Sequence, residues 1–360
     1  RNENNDAFIK GFEHALLALT GNQHSVNNQH SIVDLKIRQV EREAFGAAGK
    51  PETFGIIGGP PCPDFSVGGK NQGENGENGR LSNNYITHIL GIRPAFFLFE
   101  NVPGLFRTEI HRAFFDKLIE RLQADYVIDH TILNALEFGV PQNRERVFLI
   151  GFRKDWLGMK MDVSTLVQGR SWFPWPVNEE YAGARNKYQW PAKAPFGSQP
   201  EKPRDIPDRL MVGTHICVGD LAKLPNGNDC FNPKSEKFQT IDEGDDTRKS
   251  FKRLHRWRYS PTAAYGNNEV HLHPCEARRL SVREVLRLQT VPDKYELPSD
   301  LTLSHKFKMI GNGVPVDLAE AIAGATAYVI HGKWKGTARA CCLALHTQRN
   351  GKDKTNLSRE

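Results

Sequence analysis

At 360 residues, the chain is too long for one minimal domain and suits a large α/β domain with a smaller companion. Hydrophobic residues at 39% and charged residues at 25% exclude wholesale disorder, and no run approaches the ~18 consecutive apolar residues of a membrane span. The net charge of +6 is concentrated: residues 331–360 carry seven Lys and Arg against Asp353 and Glu360, so bulk charge says little about nucleic acid and the tail reads as a solvated segment.

The first half alternates helical and strand patterns. Residues 5–20 space their apolar groups as a helix does, and Ser31–Leu35 is a short β-branched run. Residues 53–57 read as an apolar strand that ends in the turn Gly58-Gly59-Pro60-Pro61. A loop rich in Gly and Asn over 67–80 leads to a helix over 81–91. Residues 95–99 form a buried strand ending at Glu100, and 109–123 an amphipathic helix with Phe114, Phe115, Leu118 and Leu122 on one stripe. Two further strands follow at 126–133 and 146–152. This alternation predicts a mostly parallel sheet with helices on both faces.

From 155 to 245 the periodicity fades and Pro, Gly, Trp and Asn dominate, as in an inserted small domain. Order returns at Ser281–Gln289, where Ser281 and Glu284 have capping-box spacing. The turn Gly311-Asn312-Gly313-Val314-Pro315 then precedes an apolar helix over 317–331. Cysteines at 62, 217, 230, 275, 341 and 342 form no C-x-x-C pair and no zinc spacing. No metal is expected, and a reduced cytoplasmic compartment is.

Three segments carry chemistry. Cys62, in Gly58-Gly59-Pro60-Pro61-Cys62-Pro63-Asp64-Phe65-Ser66, lies just past a strand end, where open parallel sheets bind ligands. Its prolines fix φ and present the thiol; a packed structural cysteine is the alternative. Glu100-Asn101-Val102 follows a second buried strand, and its carboxylate is either a general acid/base or a capping or ion-pairing group. Arg144 and Arg146, in Pro141-Gln142-Asn143-Arg144-Glu145-Arg146, share one face of an extended segment. They could hold an anion or a base carbonyl, or pair at the surface with Glu145.

In this order, the segments resemble the DNA (cytosine-5) methyltransferase family of bacterial modification type. The resemblance continues through Arg278-Arg279-Leu280-Ser281-Val282-Arg283-Glu284, Arg287-Leu288-Gln289, Pro292-Asp293 and Gly311–Pro315, and covers residues 1–150 and 255–330. It implies a Rossmann-like α/β methyltransferase fold that uses S-adenosylmethionine, with a smaller irregular target-recognition domain. The expected division is 1–154 and 256–331 for the catalytic domain, 155–255 for recognition and 332–360 for a basic tail.

The resemblance also implies roles. Cys62 is the nucleophile that adds to cytosine C6, since C5 is otherwise too weak a nucleophile to accept a methyl group. Glu100 donates a hydrogen bond or proton at N3, Arg146 holds O2, and Arg144 supports the pocket or a phosphate. The base must first leave the duplex, with the Ser66–Arg80 loop as the lid. Glu3, Asn4, Asp34, Leu35, Pro61, Asn312 and Gly313 match cofactor-binding positions. Ser66, Arg80, Arg248, Lys252, Arg253 and Arg256 are expected on DNA, the last four lying in a basic run interleaved with aromatics.

Where the family usually has Gln or Asn after the cysteine, this chain has Pro63-Asp64, and Asp64 is expected to point away from the thiol. The family's first strand and Gly-rich turn lie about 20 residues before the ribose-binding acid, upstream of Arg1 if that acid is Glu3. An upstream segment or partner chain is therefore expected to supply them. The expected partner is duplex DNA, with no membrane, in a nucleoid-associated enzyme. The alternatives are a tRNA cytosine-5 methyltransferase and an inactive DNA-binding fragment.

Overall fold

The computed structural model describes residues 31–60, 77–166, 170–232, 235–247, 250–262, 265 and 270–333. The elements run α1 Ile37–Phe45, β1 Gly55–Gly58, α2 Glu77–Ile92, β2 Phe96–Asn101, α3 Gly104–Arg107 and α4 Glu109–Gln123. They continue with β3 Tyr126–Asn134, β4 Glu145–Arg153, α5 Lys154–Gly158, α6 Ala184–Lys187, α7 Gly213–Ile216, α8 Val282–Leu288, α9 Leu303–Asn312 and α10 Val316–Ile330.

The strands form one sheet in the order β1-β2-β4-β3. β1 pairs with β2 in parallel, whereas β4 is antiparallel to both β2 and β3. The α/β class is as expected, but the described sheet is mixed rather than mostly parallel. The reason is the β3–β4 connection: residues 135–144 make a tight helical turn closed by Gly139 at φ 82°, a hairpin with no crossover helix.

Side-chain alternation splits the strands between two cores. Phe97 and Phe99 of β2 and Val147 and Leu149 of β4 pack against Tyr85, Ile86 and Ile89 of α2 and Phe114, Phe115, Leu118 and Leu122 of α4. On the opposite face, Phe148, Ile150 and Phe152 meet Trp156 of α5 and Leu318, Ala321, Ile322, Ala325 and Val329 of α10. The helix stripes face the sheet because their apolar groups recur every three or four residues. Leu303–Ile330 is apolar and long enough to cross a membrane by length and composition alone. It is two helices, α9 and α10, and α10 is docked on the sheet.

A third core joins Val212, Ile216 and Leu254 to Leu280, Val285, Leu288, Phe307 and Ile310. It runs across the expected boundary at 255, so α8 and α9 pack with the irregular segment and α10 packs with the sheet. Trp172 and Phe173, past the expected boundary at 154, also pack on the sheet. Ser31–Leu35 is a turn, and α1 and α9 are helices that periodicity did not single out. The capping box at Ser281–Glu284 is present, with Ser281 N–H donating to Glu284 Oε2 at 2.7 Å.

Asp129 anchors the start of the irregular segment to β3. Its buried carboxylate accepts from Trp172 N and Phe173 N, both at 2.7 Å, and from Ser171 Oγ at 2.9 Å. Asp129→Ala strips two buried backbone donors of their acceptor and should lower the unfolding free energy by about 2–4 kcal/mol in a urea titration. A loss below about 1 kcal/mol would show that the anchor contributes no more than an ordinary exchange of hydrogen bonds with water.

Candidate active site

The site is set by strand register. Glu100 lies opposite Phe148 in the antiparallel β2–β4 pair. Two residues along β4 on the same face is Arg146, a diagonal neighbour within reach of a long side chain. Arg146 Nε meets Glu100 Oε1 at 3.0 Å, with side-chain exposures of 11% and 18%. Arg146 Nη1 also donates to Glu145 O at 2.7 Å, which fixes the guanidinium. Burial raises the Glu100 carboxyl above its ordinary range, and the attractions of Arg146 and Arg144 only partly offset it. Glu100 is thus a carboxyl poised to hold a proton, beside a cation that also favours its charged form.

The end of β1 is fastened beside it. Asn101 is buried and donates from Nδ2 to Pro60 O at 3.3 Å. Gly59 allows the close approach, since a Cβ there would stand 2.6 Å from Glu100 Oε2. Cys62 follows Pro60 by two positions, but Cys62 and the expected Pro61, Asp64 and Ser66 lie outside the described residues. So do Glu3, Asn4 and Arg248.

Arg144 and Arg146 divide their work. Arg144 is fully buried, a position suited to supporting the pocket rather than to meeting a phosphate at the surface. Its Nη2 donates to Gly311 O at 2.8 Å, and burial, together with repulsion from Arg146, pushes it down to about 9. It acts as a brace that ties the β3–β4 loop to the turn before α10. The surface pairing with Glu145 falls instead to Arg107, at 2.7 Å.

Gln289 holds the same turn, donating to Ile310 O at 3.0 Å and accepting from Val316 N at 3.0 Å. It leaves Asn312 exposed at the end of α9, with Gly313 partly buried as the cap. Asp34 is also exposed, on a turn whose Leu35 carbonyl meets His88 Nε2 of α2 at 3.2 Å. Gly59, Asn101 and Gln289 lie inside or beside the motifs of the sequence. Their roles were missed because Asn101 and Gln289 act on distant backbone carbonyls and Gly59 by its missing Cβ, which no spacing rule reveals.

The expected phosphate contacts divide as well. Arg253 is fully buried: Nε donates to Ile241 O at 2.7 Å, Nη1 to Glu276 O at 2.9 Å and Nη2 to Phe238 O, and the guanidinium lies 3.9 Å from the Phe196 ring centroid. Burial pushes it down to about 10. Arg256 is buried against Glu243, with Nε–Oε1 at 2.9 Å and Nη2–Oε2 at 2.8 Å. Both guanidiniums are engaged inside the protein, where an expected phosphate contact would require them to turn outward. The signal was the acidic stretch Asp242–Asp246 just upstream. Lys252 is partly exposed, and Arg80 is exposed but stands on α2 rather than on a loop.

A family model described as C-5 cytosine-specific DNA methylase matches residues 22–327. The Type II methyltransferase M.NmeDI of Neisseria meningitidis serogroup C is 48% identical over 272 residues, covering 75% of this chain and 62% of that protein. The chain therefore spans less than two thirds of that relative's length. The Type II methyltransferase M.FnuDI of Fusobacterium nucleatum is 30% identical over 322 residues, covering 82% of this chain and 81% of that protein. A solved structure of a prophage-encoded E. coli protein, described as a DNA modification methyltransferase, superposes with a TM-score of 0.57 at 23% identity. It covers 91% of this chain and 96% of its own, a likeness in fold.

Two outcomes test the site. Gly59→Ala pushes a methyl group into the Glu100 carboxylate and should cost about 100-fold in kcat/KM, by displacing a pre-positioned group, with little change in the urea midpoint. Arg256→Gln should lower stability yet leave the slope of log K against log salt for DNA unchanged; a slope reduced by about 0.9 would restore Arg256 as a phosphate contact.

Proposed function

Because the chain belongs to the C-5 cytosine-specific DNA methylase family, we propose that it methylates C5 of cytosine within a specific duplex DNA sequence, as a modification enzyme of type II. The observation that carries this reading is the half-buried Glu100–Arg146 pair at the end of β2. Asn101 and Gly59 fasten to it the segment that leads into Cys62.

The chemistry needs a carboxyl that is still protonated near neutrality, and burial of Glu100 pushes it that way. The Cys62 thiolate adds to C6 of the extruded base. The ring electron pair shifts toward N3, where the Glu100 proton meets it, and Arg146 offers N–H donors to O2. C5 then carries enamine character and takes the methyl group. Loss of the C5 proton and expulsion of the thiolate restore the aromatic ring and the enzyme.

S-adenosylmethionine supplies a methyl group activated on a sulfonium when bound. The exposed carboxylate of Asp34 and the exposed amide of Asn312 fit the hydroxyl and amine groups of such a nucleoside; Glu3, Asn4, Leu35, Pro61 and Gly313 complete the proposed set. The outer edge of β1 is unpaired among the described residues, and Ile57 on it is 71% exposed. That edge supports pairing with a further strand, from an upstream segment or a partner chain.

Labelled S-adenosylmethionine, offered with duplex DNA or with tRNA, tests the assignment on the chain joined to any such segment. Methyl transfer to DNA is expected, and transfer to tRNA alone would overturn it. Cys62→Ala should abolish transfer while retaining DNA binding. Glu100→Ala should cost about 10²–10⁴-fold. Because the raised Glu100 acid loses its proton only at higher pH, wild-type kcat/KM should fall on the alkaline side through that ionisation. Glu100→Gln, a donor at every pH, should lack that limb.

A further inference from the structure

Cys217 and Cys275 are 58 positions apart, yet their sulfurs stand 3.5 Å from one another. Cys217 closes α7 and is exposed; Cys275 is half-buried in the bend that follows His271-Leu272-His273. The two segments are held together independently of the thiols. Gly213 N donates to Arg256 O at 2.6 Å, Leu254 N to Leu272 O at 3.2 Å, and Leu272 N to Lys252 O at 2.8 Å.

His273 completes the cluster. Cys275 N donates to His273 Nδ1 at 3.2 Å, which makes Nδ1 the acceptor and leaves the ring proton on Nε2. That Nε2 lies 4.0 Å from Cys217 Sγ. The Arg256 guanidinium and the Glu243 carboxylate both act on the pair. Either thiol can donate to the other across this gap; with Cys217 as the donor, Cys275 is the thiol held lower and Cys217 the one held higher. A thiolate is the form that attacks an oxidant.

We propose that Cys217 and Cys275 are a redox-responsive dithiol that peroxides convert to a disulfide, crosslinking α7 to the 273–275 bend. The reaction balances. Each thiol gives up one proton and one electron, the O–O bond of the peroxide takes both pairs, two waters leave, and one S–S bond forms. In steps, the Cys275 thiolate takes an oxygen from the peroxide to give a sulfenic acid. Cys217 then attacks that sulfur, and water departs. The sulfurs need close only from 3.5 Å to bonding distance, within backbone already paired. Cys230 is the internal contrast, because burial raises its thiol and its Sγ–H donates to Arg279 O at 3.2 Å. This proposal does not depend on the methyl-transfer reading and fails or stands separately from it.

The test uses the full folded chain, hydrogen peroxide as the oxidant, and tryptic mass mapping after alkylation. The expected product joins the peptides 210–223 and 259–278 at a mass about 2 Da below their sum and separates again under a thiol reductant. Cys217→Ser should abolish the joined peptide and leave Cys275 as a sulfenic acid captured by dimedone. Oxidised wild type should melt several degrees higher than reduced protein, since the crosslink closes a long loop of the unfolded chain. Circular dichroism of Cys217→Ser confirms that the variant is folded. If both thiols of the folded wild type stay free to alkylate after peroxide treatment, or if Cys275 pairs instead with Cys230, the proposal is overturned.

Discussion

β4 is hydrogen-bonded along both edges and buried on both faces, so it cannot slip by one residue without turning Phe148, Ile150 and Phe152 out of their core. That constraint places Arg146 on the same face as Glu100, two residues from the position directly opposite it. The ion pair is therefore a consequence of packing several residues away. A carboxyl and a guanidinium brought together on an open surface would be screened and mobile. Here the apolar cores hold both backbones, and burial of Glu100 outweighs the attraction of the cations.

The rest of the site is braced by contacts that are remote in sequence. The Gly311–Pro315 turn receives Arg144 from the β3–β4 loop and Gln289 from the end of α8. The β3–β4 loop is in turn tied to the irregular segment, with Asn143 N donating to Ser260 O at 2.9 Å and Ser260 N to Pro141 O at 2.8 Å. One loop thus links the sheet, the turn proposed to face the cofactor and the segment proposed to face DNA. Arg146 stands two residues past the end of that loop, on β4.

What the sequence revealed follows from the range over which each interaction acts. The stripe of α4, the apolar run of α10 and the capping box at Ser281 are local, and they were legible to within a residue or two. Glu100 and Arg146 were singled out because their segments follow Cys62 in the order of the family they resemble, each alone having an ordinary alternative. The direction of β4 was not, because a connection of ten residues is read as a crossover or a hairpin only once its turn is known. α9 was hidden for another reason: its Lys306 is buried against Asp229 at 2.7 Å, which breaks the expected alternation of apolar and polar positions.

Arg253 and Arg256 show how basic residues of one run can turn inward. A segment with few strands and short helices leaves many buried carbonyls without a ladder partner. Guanidinium groups fill that role, because each offers five donors from one side chain. Arg253 serves Ile241, Phe238, His273 and Glu276. Arg283, equally buried, serves Pro225, Pro292 and Tyr295, and Arg144 serves Gly311. The same residues on a regular sheet would be surplus cations seeking an anion outside the protein. In this loop-rich region they substitute for backbone pairing, and Glu243 neutralises Arg256 from within the core. A cluster of arginines beside aromatics and glycines can therefore mark an irregular core as readily as a nucleic-acid surface.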